Sequence, residues 1–228
     1  MKTIQNLFLQ INNIICRFRQ RWKAAAQGKG FRLQAAVLLG LVLTIFAADF
    51  TAFAQGCNDL REDVLRLHIL ANSDSEEDQA LKLKVRDRVL KEGVELFSIG
   101  EGKEKAIEEA QKQLKHLIQA AQDEEYRQGY TYQVHGEVVK MYFNTREYDG
   151  FTMPAGTYDA LRFTIGSGQG KNWWCVMFPP LCIPAAVGEE PDLSFFTQRE
   201  LQVLEQKPAY QPKFAVVELV EQIKSACS

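Results

Sequence analysis

The stretch TYDALRFTIGSGQGKNWWCVMFPPLC, residues 157–182, decides the fold because it has the pattern of two β-strands joined by a glycine-rich loop. Aromatic and β-branched residues are frequent from Tyr130 onward, as they are in strands. The loop Gly166–Gly170 lets the chain turn, and Pro179 and Pro180 end the last strand because proline cannot donate a ladder hydrogen bond. We expect one antiparallel sheet from the candidate strands Tyr130–Met141, Thr157–Ile165 and Asn172–Phe178.

Helices are predicted on both sides of these strands. Alternating apolar residues in Val64–Ala71 predict a first strand. Ser75, with Asp78 three positions later, has the pattern of a capping box, and the helix that it opens should end near Phe97. Three more amphipathic helices are predicted, at Lys103–Ala121, Phe196–Gln206 and Lys213–Cys227. Amphipathic helices packed on an antiparallel sheet predict an α+β fold.

The first 54 residues have the pattern of a secretory signal. Basic residues between positions 17 and 32 precede the apolar run Ala35–Ala48, and a small-residue motif ends at Ala54, after which we predict cleavage. The apolar run is shorter than the roughly 20 residues that cross a bilayer. An uncleaved membrane anchor stays open as an alternative, and so does a lipid anchor at Cys57.

Residues 55–228 are expected to form a single extracytoplasmic domain. The first 54 residues carry seven basic side chains and one acidic side chain, which leaves 20 basic and 28 acidic residues and a net charge of −8. This acidic balance excludes nucleic-acid binding by electrostatic attraction. The sequence shows no repeat and no low-complexity tract.

Four cysteines remain after the predicted cleavage: Cys57, Cys175, Cys182 and Cys227. Export exposes them to oxidising conditions, so they are disulfide candidates. Pairing Cys175 with Cys182 would close a short loop, and pairing Cys57 with Cys227 would tie the mature N-terminus to the last helix. Four buried, reduced thiols are the structural alternative. A functional alternative is an exported thiol-dependent enzyme or redox protein that uses Cys175 and Cys182.

Catalytic and metal-binding templates do not fit the sequence. The glycine loop departs from a phosphate-binding loop because Asn172 replaces the hydroxyl residue that holds magnesium. The acidic residues that follow Asn72 lack the glycine and the bidentate glutamate of a calcium loop. No histidine pair has metal-ligand spacing among His68, His116 and His135. We therefore expect no metal, no cofactor and no enzymatic activity.

Several segments carry a family resemblance. They are RLHILANSDS at 66–75, DQALKLKVRD at 78–87, PAGTYDAL at 154–161 and the run 170–182. In this order they resemble the stage II sporulation protein R family. The resemblance implies a non-enzymatic signal, secreted from the forespore into the space between the forespore and mother-cell membranes. There it would activate a membrane-embedded aspartic protease that removes the pro-sequence of the sigma-E factor.

Two sets of residues are candidates for contact with that protease. The first consists of large rigid side chains, which give contact area at low entropy cost: Trp173, Trp174, Phe178, Pro179, Pro180 and Leu181. The second surrounds the acidic turn: Asn72, Ser73, Asp74, Asp78, Gln79 and Lys82. Core packing is the alternative for the first set, and helix capping is the alternative for the second. Trp173 and Trp174 should point to opposite faces of the sheet, because they are neighbours on a strand.

Overall fold

The computed structural model describes residues 29–96, 102–148, 150–181, 192–205 and 212–227. In chain order they form α1 (Lys29–Asp63), β1 (Leu65–Leu70), α2 (Glu76–Leu96), α3 (Lys103–Lys112), α4 (Leu114–Arg127), β2 (Val134–Phe143), β3 (Arg146–Tyr148), β4 (Phe151–Met153), β5 (Gly156–Ile165), β6 (Asn172–Phe178), α5 (Gln198–Leu204) and α6 (Pro212–Cys227). Helices grouped with a sheet in this part of the chain confirm the predicted α+β class.

The main sheet has four strands in the order β2-β5-β1-β6. β2 pairs with β5 and β6 pairs with β1 in antiparallel fashion, as expected, but β1 lies parallel to β5. The sheet is therefore mixed. The first strand, β1, lies between the later strands β5 and β6. The three helices and the strands β2, β3 and β4, which separate β1 from β5, make the long connection that a parallel pair requires.

Two local differences from the expected elements have local causes. The predicted helix Lys103–Ala121 is divided into α3 and α4 at Gln113, whose φ of −93° and ψ of 2° leave the helical range. Strands β3 and β4 form a separate hairpin that the sequence did not reveal. Each has only three residues, which is too short for an alternating pattern to be recognised.

Contacts divide the chain into two compact units, of which one ends at Thr51 and the other is Ala52–Ser228. In the first unit, α1 exposes consecutive large residues such as Val37, Leu38 and Leu39, so it is apolar all round. Within the described residues, it is the one helix long and apolar enough to cross a membrane, with a mean hydropathy of 2.1 over 18 residues. This helix fits a signal peptide and a membrane anchor alike, and cleavage after Ala54 stays a prediction.

The last turns of α1 belong to the second unit and pack into its core. The ring of Phe53 meets that of Phe214 edge to face, with centroids 5.0 Å apart. One turn further, Cys57 is fully buried. A Cβ at Gly56 would lie 2.9 Å from the carbonyl oxygen of Arg199, so a glycine is needed where α1 meets α5.

Arg61 fastens the end of α1 to the turn before β5. Its Nε and Nη2 both donate to the carbonyl oxygen of Ala155, at 3.1 and 2.7 Å. The next residue, Gly156, has a φ of 152°, and a Cβ there would lie 2.0 Å from Arg61 Nε. The predicted turn at 154–156 thus also provides the space that Arg61 occupies.

Candidate interaction surface

Strand β6 presents its two tryptophans to opposite faces of the sheet, as the sequence predicted. Trp173 lies opposite Ile69 of β1, and Trp174 lies opposite His68. Helix α4 covers the face of Ile69, because a Cβ on Gly136 of β2 would meet the Ile118 side chain there at 2.6 Å. We call this the helix-covered face, and we call the face that carries His68 and Trp174 the second face.

On the helix-covered face, Trp173 packs against α2. The guanidinium carbon of Arg86 lies 4.3 Å from the centre of the Trp173 ring, which is within cation–π range. The same arginine donates to Asp87 at 2.6 and 2.8 Å, so its position over the ring is fixed from both sides. Trp173 is half-buried, and among the residues that the structure describes its buried indole nitrogen has no hydrogen-bond partner. This tryptophan therefore has a packing role.

On the second face, Trp174 is half-buried and stacks on a histidine. Its ring lies parallel to that of His68, with centroids 3.9 Å apart and planes within 1°. The ring of Phe143 meets Trp174 edge to face at 4.9 Å. The exposed guanidinium of Arg146, from the β3–β4 hairpin, lies 5.8 Å from the Trp174 ring. Tryptophan and arginine together are typical of residues that dominate binding energy in interfaces.

His68 provides the flat base for this stack. It is 3% exposed, and its Nε2 is 2.8 Å from Oδ1 of Asn172. Burial lowers the pKa of His68, and the positive charge of Arg162 adds to the shift, while the hydrogen bond with Asn172 opposes it. The imidazole is therefore neutral at neutral pH and can stack without repelling the arginines around it.

The residues around Trp174 on this face are polar and accessible. Asn172, His135 and Glu137 are exposed, and Arg162 Nε donates to Glu137 Oε1 at 2.9 Å. The combination of a half-exposed aromatic ring with mixed charges gives this part of the sheet the character of an interface. We call the set Trp174, Arg146, Asn172, Arg162 and Glu137 the Trp174 surface.

Arg66, further along the same face, is fully buried, which the sequence did not indicate. Its Nε donates to the carbonyl oxygen of Cys175 and its Nη2 to the hydroxyl of Tyr148, both at 2.8 Å. The guanidinium carbon lies 4.5 Å from the ring centre of Phe143 and 5.1 Å from that of Tyr158. Within the described residues, Nη1 has no hydrogen-bond partner. Arg66 therefore fastens the β3–β4 hairpin to the sheet through its polar and aromatic contacts.

Three of the predicted contact residues are in the core, so they are not available as anchors. Phe178 is 7% exposed, Leu181 is 1% exposed, and Pro179 is also buried. The end of β6 turns inward there, which the apolar composition alone could not distinguish from an outward patch. Pro180 is half-buried. Of the first predicted set, Trp174 is the residue best placed for contact.

The second predicted set is used inside the molecule. Asn72 and Ser73 both donate to Oδ2 of Asp78, at 2.9 and 2.5 Å. The Oδ1 of Asn72 accepts the backbone N–H of Ser167 at 3.0 Å, and Asp74 accepts that of Lys171 at 2.7 Å. These bonds attach the turn after β1 to the glycine loop before β6. The turn is therefore a structural connection, and it positions the strand that carries Trp174.

Two further members of that set complete the connection. Gln79 Nε2 donates to the carbonyl oxygen of Ser73 at 2.8 Å. Lys82 is 4% exposed and donates to Gln79 Oε1 at 2.6 Å and to the carbonyl oxygen of Lys171 at 2.8 Å. Two of the three N–H donors of this buried lysine are thus paired, and the side chain is not accessible for partner recognition.

Asp78 is the acceptor at the centre of this network, and it is 4% exposed. Burial raises its pKa, but hydrogen bonds from Ser73, Asn72 and Tyr132 outweigh that effect, so the net pKa is lowered. The carboxylate therefore stays charged well into the acidic range. The predicted capping role is also present, because the backbone N–H of Asp78 donates to Ser75 Oγ at 3.2 Å.

The cysteines depart from the expected arrangement. Cys57 is a free thiol, so the expected Cys57–Cys227 bridge is wrong. The Cys57 side chain is buried in the core of the second unit, which shields the thiol from solvent. Burial raises the pKa of Cys57 to about 12, which leaves the thiol protonated at neutral pH. Cys175 is 1% exposed and disulfide-bonded. Cys182 lies outside the described residues, and its pairing with Cys175 stays a prediction.

A polar cavity of about 310 Å³ lies between the end of α1, the start of α3, strand β5 and α6. Its charged groups pair with one another: Lys103 donates to Asp159 at 3.0 Å, and Lys224 donates to Glu221 at 2.8 Å. In the part of the chain that the structure describes, no cluster of three or more His, Cys, Asp or Glu side chains could hold a metal.

The described residues form an α+β domain that follows, in the sequence, a helix of membrane-crossing length. The chain belongs to the stage II sporulation protein R family, whose family model matches residues 61–187. Stage II sporulation protein R of Bacillus subtilis (strain 168) is 36% identical over 149 residues, which are 63% of this chain and 66% of the relative. The match thus spans just under two thirds of the relative's length. No solved structure matches. The resemblance is confirmed, and it supports a role in sporulation.

Proposed function

We propose that this chain is an exported signalling protein that activates a membrane-embedded aspartic protease during sporulation. The protease would then remove the pro-sequence of the sigma-E factor, which couples the forespore to the mother cell. The chain acts from the space between the two membranes, after export by its N-terminal segment. Activation needs only binding that shifts the protease toward its active state, because an aspartic protease works once its two carboxylates are brought together.

The observation that supports this proposal most is the position of Trp174. The ring is held from below by His68 and from the side by Phe143, yet it stays half-exposed on a polar face. A preorganised ring loses little conformational entropy on binding, and Arg146 beside it adds a donor for a partner's carboxylate or carbonyl. Membership of the family and the membrane-crossing length of α1 support the location.

The alternative thiol chemistry receives no support from the site. The side chain of Cys175 is on the helix-covered face, opposite Leu67, whereas His68 is on the second face. A general base on the other side of the sheet cannot activate that thiol.

Co-expression in a non-sporulating bacterium tests the proposal. The full chain is produced with the candidate protease and its pro-sigma-E substrate, and the processed sigma factor is detected by immunoblot. We expect processing with the full chain and a strong reduction with Arg146→Ala. Arg127→Ala is the matched control, because this exposed arginine is on α4, outside the Trp174 surface, and pairs with Glu124. Absence of processing by the folded, exported full chain would contradict the proposal.

The location is tested by replacing residues 1–54 with an unrelated cleavable signal. We expect processing to continue, since the segment would serve only for export, and a version without any signal should be inactive. If processing requires residues 1–54 themselves, the active form is the membrane-anchored one.

A further inference from the structure

The polar cavity of about 310 Å³ is lined by residues of the second unit alone. Its volume is near the lower end of the range for small-molecule sites, so it exceeds what a single small ion fills. Ligand pockets are usually lined by apolar side chains, whereas every described residue that lines this cavity has a polar or charged side chain. A ligand that fits this lining is therefore small, polar and charged.

Cations outnumber carboxylates in the lining. The cations are Arg61, Lys103, Lys140 and Lys224. The carboxylates are Glu62, Asp159 and Glu221. The cavity thus has a net charge of +1, although residues 55–228 together carry −8. A local positive charge on an acidic domain favours an anionic ligand.

The two carboxylates on the floor of the cavity are compensated by neighbouring cations. Asp159 is 15% exposed, accepts from Lys103 at 3.0 Å and lies 3.8 Å from Lys140, its cross-strand neighbour on β2. Glu221 is 13% exposed and accepts from Lys224 at 2.8 Å. Because each carboxylate has a cation beside it, neither presents an uncompensated negative charge to an anion.

Lys140, on the rim, is the cation best placed to meet a ligand. Its side chain is 76% exposed, and its 3.8 Å contact with Asp159 is too long for a hydrogen bond. A lysine ammonium has three N–H donors on a flexible stem. Within the described residues these donors have no hydrogen-bond acceptor, so they can turn toward an anion in the cavity.

The guanidinium of Arg61 is already occupied, and this disfavours a carboxylate as the anion. Its side chain is 10% exposed, and its Nε and Nη2 both donate to the carbonyl oxygen of Ala155. Its Nη1 donates to Oδ1 of Asn58 at 2.5 Å. The planar edge with which an arginine binds a carboxylate through two parallel bonds is therefore not available. The remaining cations are lysine ammonium groups, which bind phosphate as point charges.

Uncharged polar groups in the same lining suit a ligand that also carries hydroxyl groups. The exposed Asn58 and Thr157 contribute an amide and a hydroxyl. The exposed carboxylate of Glu62 is an acceptor for a ligand hydroxyl. The volume leaves room for a short polyol attached to the phosphate.

We propose that this cavity binds a small polyol phosphate, with Lys140 and Lys103 at the phosphate group. The ligand would contact α1, α3, β2, β5 and α6 at once, so binding should stabilise the second unit. Lys140 and Asp159 lie on the helix-covered face of the sheet, whereas Trp174 lies on the second face. The site is thus separate from the Trp174 surface, and the proposal does not depend on the proposed function.

Isothermal titration calorimetry of the full chain in an uncharged detergent tests the site, with glycerol phosphate as the probe. We expect saturable binding that weakens as salt is added, because the attraction is between charges. Glycerol, which lacks the phosphate, and succinate, which has carboxylates instead, should bind at least about tenfold more weakly. Thermal melts should show a higher Tm in the presence of glycerol phosphate.

Two exposed rim residues allow changes of opposite sign without disturbing the core. Lys140→Ala should raise the Kd for glycerol phosphate about tenfold, because it removes charge-assisted hydrogen bonds to the phosphate. Glu62→Gln should lower the Kd about threefold, because it removes a negative charge from the rim. Lys84→Ala, at an exposed site on α2 outside the cavity, is the matched control and should leave the Kd unchanged.

Glycerophosphoglycerol, a soluble analogue of a lipid headgroup, distinguishes the two sources of this chemistry. Binding as tight as that of glycerol phosphate assigns the site to phosphodiester headgroups, and weaker binding assigns it to free phosphate monoesters. The proposal is overturned if neither compound binds saturably, or if Lys140→Ala leaves the Kd unchanged or has no more effect than Lys84→Ala. Succinate that binds as tightly as glycerol phosphate would overturn the assigned class of ligand.

Discussion

The two faces of strand β6 carry neighbouring tryptophans in different environments. Trp173 lies under α2 with an arginine fixed over its ring, whereas Trp174 stacks on His68 and stays accessible beside Arg146. Both rings are half-buried, so their neighbours distinguish them more than their exposure does. The comparison teaches that one strand can present adjacent aromatic residues to different surroundings, and it is the surroundings of Trp174 that support the proposed contact.

The largest effect that we predict concerns the support of the second face. Arg66→Ala should lower the free energy of unfolding by about 3 to 5 kcal/mol, because it leaves a cavity and removes the donors to Cys175 and Tyr148. Urea denaturation measures the loss. Arg162→Ala, on the same face but exposed, should cost less than about 1 kcal/mol. Equal, small losses in both variants would show that the buried guanidinium does not fasten the hairpin.

A smaller effect is expected at the turn that positions β6. Asp78→Ala should cost about 2 kcal/mol, since it removes the shared acceptor of Asn72 and Ser73. Because the pKa of Asp78 is lowered from 3.8, its contribution is present above that value and is lost as the pH falls through the folded-state pKa. The difference between the variant and the unsubstituted chain should therefore shrink in strong acid. Asp123→Ala, at an exposed site on α4, is the control; a similar loss there would contradict the role of the network.

The smallest predicted effect is a pH dependence from His68. Its pKa is lowered from 6.5, so below that value the unfolded chain binds more protons than the folded one, and stability falls as the pH falls. Thermal melts between pH 7.5 and 5 should show this decline, together with a change in tryptophan fluorescence as the stack with Trp174 is disturbed. His68→Gln should flatten this part of the pH dependence. An unchanged slope in the variant would place the titrating group elsewhere.

Local patterns predicted a large part of this fold. Strand β6 has the predicted bounds, and α2 begins one residue after the predicted cap Ser75, because alternation and capping are encoded by neighbouring residues. The opposite faces of Trp173 and Trp174 followed from strand geometry. The parallel pairing of β1 with β5 could not be predicted, since strand direction depends on distant connections.

The candidate site was less predictable, because burial decides which side chains are available. From composition alone, Phe178 and Leu181 were predicted as contact residues together with Trp174, although both are in the core. Arg66 was not among the predicted site residues, yet the rings of Phe143 and Tyr158 enclose it. An arginine in a strand whose neighbours are otherwise apolar is the signal that could have identified it.

The most direct test of the central claim compares Trp173→Ala with Trp174→Ala in the full chain, by thermal melts and by sigma-factor processing in the co-expression assay. We predict that Trp173→Ala lowers the free energy of unfolding by about 3 kcal/mol, because it empties space beneath α2. Trp174→Ala should cost about 1 kcal/mol through the lost ring contacts and should abolish processing while the chain stays folded. A Trp174→Ala chain that is folded and fully active would contradict the assignment of this face to recognition.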